Sequence, residues 1–176
     1  MHRDREVVSA LKSLARGPTT VVLGDELCPS TFAAWVEGLA SDPCTELSDE
    51  GLLKVIKRSV LSSLDAICVA TVCVDDAFRK VFGKSLVYVY GSCRSGLDRV
   101  APKHSVDEFL KCVAASETML VLGLSKPLSI VSEAIVVASS MGKSVVVASS
   151  SPPSFLSELR NVTVVKLDLR SLANLE

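Results

Sequence analysis

Short aliphatic runs at residues 19–23, 66–73, 86–90, 119–122, 145–148 and 162–167 alternate along this chain with stretches whose apolar residues recur at helical spacing. Strands that read as near-continuous Val, Ile, Leu and Ala are buried on both faces, and that requires a parallel sheet with helices above and below it. Parallel neighbours also need crossover connections of about a dozen residues, whereas hairpins need tight turns. The pattern therefore predicts an α/β fold, a three-layer Rossmann-like domain whose mostly parallel sheet of about six strands has helices on both faces. Val21, Val22, Val69, Val87, Val89, Leu120, Val121, Val146 and Val147 are its expected core. A continuous apolar run does not by itself exclude helix, so residues 66–73 could instead extend the preceding helix.

The connecting segments carry their own punctuation. Val7, Val8, Leu11 and Leu14 mark a helix over residues 4–15 that ends at Gly17-Pro18, and Pro29-Ser30 opens a second through Phe32, Trp35, Val36 and Leu39. Ser48 is expected to cap a helix over 49–63. A short helix over 75–82 closes at Gly83, a loop spans 92–104, and helices follow at 106–115 and 128–140, the latter stopped by Gly142. Pro152-Pro153 starts a last short helix to residue 159.

At 176 residues the chain suits one domain, 1–176, with no repeat or linker to divide it. The net charge of −1 is spread almost evenly over both halves, which argues against the phosphate attraction of a nucleic-acid binder. No apolar run approaches the roughly 20 residues that span a bilayer, and the charged start, Met1-His2-Arg3-Asp4-Arg5-Glu6, lacks the apolar stretch of a signal peptide. A cytoplasmic protein without membrane contact is expected, and the sequence sets no oligomeric state. The six cysteines form no CxxC pair. With a core of this size, reduced thiols are expected, with no disulfide or metal needed for folding.

In open parallel sheets ligands lie beyond the carboxyl ends of the strands. Segments 24–28, 73–76, 91–96, 123–126 and 149–151 should converge there, rich in Gly, Ser and charge. The same residues also serve as ordinary turns. Gly91 and Gly96 have the glycine spacing of a phosphate-binding loop, but Leu97-Asp98 stands where Lys-Ser/Thr should follow, which argues against a kinase or ATPase. Gly91, Ser92, Arg94 and Gly96, with Lys126, are expected to hold the anionic group of a small or nucleotide ligand. Asp25 and Asp75 are candidates for accepting ligand hydroxyls, as acids accept ribose in dinucleotide folds. Cys28, Cys73 and Cys93 should lie near the same edge; three-thiolate ligation of a metal competes there with their use as small buried hydrophobes. His104 reads as a surface residue.

Two stretches resemble a known superfamily. Val7, Leu11, Ala15 and Pro18 leading into Val21-Val22-Leu23-Gly24, with Leu27 and Pro29, form the first; residues 116–124, ending Leu122-Gly123-Leu124, form the second. Together they resemble the NAD/FAD-binding domains that include thiamine-pyrophosphate-enzyme central domains and the epsilon subunit of archaeal CO dehydrogenase/acetyl-CoA synthase. That resemblance implies a nucleotide cofactor, NAD, FAD or another, with Gly24 and Gly123 closing the strands that lead to it. Glu133 on the helix after a Gly-ended strand, with Gly142-Lys143-Ser144-Val145, resembles nucleoside deoxyribosyltransferases, which implies glycosyl-bond chemistry as an alternative. A surface glutamate satisfies the same pattern. Three functions remain open: a nucleotide- or dinucleotide-binding module with an anion site at the carboxyl edge, a small nucleotide-processing enzyme, and a non-catalytic interaction domain. The absence of GxGxxG, of a phosphate-loop lysine and of a recognisable acid–base pair favours binding.

Overall fold

The computed structural model describes residues 2–97 and 101–175. Six strands form one sheet in the order β3-β2-β1-β6-β7-β8, with every neighbouring pair parallel. They are β1 (Pro18–Leu23), β2 (Asp65–Thr71), β3 (Val87–Tyr88), β6 (Thr118–Leu122), β7 (Ser144–Ser149) and β8 (Val162–Lys166). The run at 66–73 is thus strand. The helices are α1 (His2–Leu14), α2 (Ser30–Val36), α3 (Glu50–Ser59), α4 (Ala77–Phe82), α5 (Lys103–Ala115) and α6 (Ser129–Ser140). A 3₁₀ turn over Ser154–Glu158 replaces the short helix expected after Pro152-Pro153, and another over Leu169–Leu175 buries Leu169 and Leu172.

The central strands are the most aliphatic because they have neighbours on both sides and helices on both faces. Val21, Val22, Val89, Leu120, Val121, Val146 and Val147 are fully buried, and Val87 nearly so. Val69 departs from the expected core: it is only half-buried, because β3 pairs with β2 at Ala70 and Thr71 alone and leaves Val69 uncovered at the sheet's edge. Cys68 reaches α5 and Val69 points the other way, towards α3 and α4, which places these helices on opposite faces.

Three local expectations change. Asp49, not Ser48, caps α3, accepting the Leu52 N–H at 3.1 Å, because the Ser48 hydroxyl is engaged elsewhere. The helix expected over 49–63 gives way after Ser59 to a 3₁₀ turn over Leu61–Ser63. The loop expected over 92–104 holds a tight antiparallel hairpin, β4 (Gly91–Ser92) with β5 (Gly96–Leu97), and runs directly into α5 at Lys103; its residues 98–100 lie outside those described.

The cysteine expectation is overturned. All six cysteines are paired, as Cys28–Cys73, Cys44–Cys93 and Cys68–Cys112, with Cα separations of 5.3, 5.8 and 6.0 Å inside the range a disulfide spans. Partners lie 44 to 49 residues apart in sequence and meet only because the fold brings their loops and elements together. Spacing alone therefore carried no sign of them. Cys28, Cys73 and Cys93 do approach the carboxyl edge, but as disulfide sulfurs, which lack the thiolates that the metal alternative needs.

Candidate functional site

The strand order reverses direction between β1 and β6: the chain builds outward from β1 through β2 to β3, then returns to the other side with β6. In open α/β sheets this switch point is where a crevice opens for ligands. Here the crevice is shut by backbone. The Gly24 N–H donates to the Leu122 carbonyl at 2.8 Å and the Glu26 N–H to the Gly123 carbonyl at 2.8 Å. A Cβ on Gly24 would stand 2.6 Å from the Gly123 oxygen, and Gly123 itself has φ +82°, so both glycines are required by close approach and turn geometry.

Two carboxylates seal the loops around this contact. Asp25 accepts the backbone N–H groups of Ser125 (3.0 Å) and Lys126 (3.1 Å) and the Ser125 hydroxyl (2.5 Å). Glu26 accepts the Ser150 N–H at 3.1 Å and hydroxyl at 2.6 Å, and also the Ser149 hydroxyl. Serine hydroxyls and loop amides that could cradle a bound anion are thus occupied by the protein's own acids. Asp75 is likewise committed: it is fully buried and accepts the Ser48 N–H and hydroxyl, both at 2.8 Å. Asp25 and Asp75 therefore organise loops.

The hairpin turns its polar groups inward. Ser92 and Ser95 exchange backbone and hydroxyl hydrogen bonds, with the two hydroxyls 2.9 Å apart, and the Cys93 N–H donates to the Val74 carbonyl. Arg94 is two-thirds exposed, its Nε 3.1 Å from Asp76. Lys126 pairs with a different acid, Glu37, just past the end of α2. Glu133 is on the exposed face of α6, and His104 is 92% exposed beside Glu108.

Two cavities remain open at the carboxyl edge, one of about 410 Å³ between residues 26–30 and 46–49 and one beside Lys126. The latter, of about 450 Å³, is bounded by Val36 and Glu37 from α2, by Tyr90 just beyond β3, and by residues 125–129 leading into α6. Its polar inventory is specific. The α6 N-terminus has Leu128 at its cap position and no side-chain cap, so its first-turn amides lack intrahelical acceptors. Tyr90 is 4% exposed, held by ring contacts with Phe32 and Trp35, and its hydroxyl has no hydrogen-bond partner among the described residues. Burial pushes its phenol pKa up, so it stays a hydrogen-bond donor through neutral pH. An ammonium, a phenol donor and uncapped helix amides together suit an anionic or hydroxyl-bearing group.

Tyr90, Glu37 and Ser129 were not singled out from sequence. The available signal was an aromatic with a polar tip at a strand's carboxyl end, directly before Gly91.

The fold is similar to those of solved Sir2 structures. One Sir2 enzyme structure, from work on the mechanism and regulation of these enzymes, aligns with a TM-score of 0.68 at 13% identity, over 96% of this chain and 94% of that chain. Sir2Af2 bound to a myristoylated histone peptide aligns at 0.66 and 12% identity, over 97% and 94%. Sir2 with the inhibitor EX-527, 2'-O-acetyl-ADP-ribose and a deacetylated p53 peptide aligns at 0.63 and 11% identity, over 98% and 96%. At such identities the likeness establishes a shared fold. No protein-family description matches the sequence, and no curated protein does.

Proposed function

We propose that this protein is a nucleotide- or dinucleotide-binding module, with NAD or an ADP-ribose derivative the first ligand to test, whose anionic group sits at the carboxyl edge of the sheet. The observation that carries the reading is the cavity beside Lys126, where the hydroxyl of the buried Tyr90 ring, a cation and the start of α6 without a side-chain cap converge. The sheet order supports it, as does the fold shared with Sir2 structures, one of which holds 2'-O-acetyl-ADP-ribose. In this reading Lys126 and the α6 amides take the anion, Tyr90 donates to it or to a sugar oxygen, and Arg94 supplies a second cation from the hairpin of Gly91, Ser92 and Gly96. Asp25 and Glu26 keep the crevice between β1 and β6 closed, so the ligand lies against α2 and α6. Three disulfides support residence in an oxidising compartment over the cytoplasm expected from sequence. Among the described residues no helix is long and apolar enough to cross a membrane.

Calorimetric titration with NAD, ADP-ribose, FAD and inorganic phosphate tests the proposal. A nucleotide should bind, and Lys126→Ala should weaken it by roughly 1.5–3 kcal/mol, the range for losing a charge-assisted hydrogen bond. Arg94→Ala should do the same if the hairpin contributes its cation. Unchanged affinity in Lys126→Ala and in Tyr90→Phe would reject the site.

A further inference from the structure

A second cavity lies away from the carboxyl edge, and the sheet itself makes it. β1 accompanies β2 along its whole length, from Asp65 to Thr71, but β3 pairs with it only at Ala70 and Thr71. Residues 65–69 therefore have no strand on their outer side. The hydrogen-bond directions fix what is offered there. The Val89 N–H donates to the Thr71 carbonyl on the β3 side at 3.0 Å, whereas the Val72 N–H donates to the Leu23 carbonyl on the β1 side at 3.1 Å. Peptide groups alternate along a strand, so Val69 repeats the orientation of Thr71: its carbonyl meets the Val87 N–H where β3 begins, and its own N–H faces the open edge.

That edge borders a cavity of about 590 Å³ between α3 and α4. Val69, Leu61, Val81 and Phe82 give it an apolar floor. Four cations line it, Lys54, Lys57 and Arg58 from α3 and Lys80 from α4, with Lys54 also 3.4 Å from Glu50 one turn back on α3. Lys57 is fixed by donating to the Val81 carbonyl at 2.8 Å, which holds α4 at the cavity's rim. In a chain of net charge −1 this is a local reversal of sign.

We propose that this edge of β2 docks an extended, acidic peptide segment of a partner protein, which adds as a strand in continuation of β3. Backbone pairing that starts from the Val69 N–H and runs back along residues 65–68 supplies binding common to any peptide, and alternate apolar side chains reach the cavity floor. Carboxylates on the intervening positions meet the lysines and Arg58. Lysine on an open edge deters pairing with neutral or basic strands, so the same residues that guard the edge would admit an acidic one. The alternating donors and acceptors of a strand edge are matched by another peptide backbone and not by a lipid headgroup or a nucleic acid.

Fluorescence anisotropy on the full chain tests this with a labelled peptide alternating Val and Glu, its Val and Lys counterpart, and a version of the acidic peptide N-methylated at alternate residues. The acidic peptide should bind at least about tenfold tighter than the basic one, and the preference should shrink with added salt. N-methylation should abolish binding. Lys54→Glu with Lys80→Glu, both exposed residues, should cost about tenfold in affinity while circular dichroism stays unchanged. The Val69 amide should shift on binding. Failure of the acidic peptide to bind, equal binding of acidic and basic peptides, indifference to N-methylation, or displacement by duplex DNA or anionic vesicles without a shift at Val69 would each overturn the assignment.

Discussion

Asp75 shows how far a single carboxylate can organise this edge of the sheet. With no exposed surface, it receives two hydrogen bonds from Ser48, and its backbone carbonyl accepts the Tyr88 hydroxyl at 2.9 Å. Replacing it by Ala leaves the buried Ser48 N–H and hydroxyl without acceptors, so Asp75→Ala should lower stability by roughly 1.5–3 kcal/mol in urea unfolding. A loss within a few tenths would mean that Ser48 finds other partners. Tyr88 gives a pH signature. Burial pushes its phenol up to about 12, and burial also raises Tyr90; these are the chain's two tyrosines. An unfolded tyrosine titrates near 10, so the folded state retains protons that the unfolded state releases. This contribution to stability is complete below pH 10 and is lost as pH rises towards 12. Near-ultraviolet tyrosinate absorbance should therefore stay low at pH 10 in the native protein and be half-developed in urea; equal absorbance would contradict the burial of both rings.

Among the elements, the disulfides tie regions that the strand ladder leaves loose. Cys44–Cys93 joins the segment before α3, which has no regular structure, to the β4–β5 hairpin, and Cys68–Cys112 fastens β2 to α5. Each closes a long loop, and reduction should lower stability by about 2–4 kcal/mol per bridge. Thermal unfolding with and without reductant measures it, and six titratable thiols in denaturant without reductant would contradict the pairing. Gly24→Ala probes the contact between the loops after β1 and β6. Its Cβ would press on backbone at Gly123, and overpacking of this kind costs about 1–3 kcal/mol. Wild-type stability in that variant would mean that the crevice can open.

The same elements show what was legible in advance. β1, β6 and β7 could be read to within a residue or so, because an uninterrupted aliphatic run bounded by Gly or a polar turn is local information, and their burial on two faces follows from it. The short β3 was not legible, since residues 86–90 are as apolar as a full strand while only two of them pair. Nor were the contacts that define the site: Asp25 meets Ser125 across 100 residues, Ser48 meets Asp75 across 27, and every disulfide spans a crossover. Those partners depend on which strands become neighbours, and strand order is not written in any local pattern.

At the scale of the whole molecule, a sheet with its reversal at β1 and β6 has had that reversal filled by its own acids, and a polar cavity at the carboxyl edge lies against α2 and α6. We propose that a nucleotide binds there. Amide chemical-shift mapping of the oxidised protein during titration with NAD and with ADP-ribose tests it most directly. Saturable shifts should concentrate at Tyr90 and residues 125–130, with the α3–α4 cavity unaffected; no saturable binding of any nucleotide, or shifts confined to the amino edge of the sheet, would rule the site out.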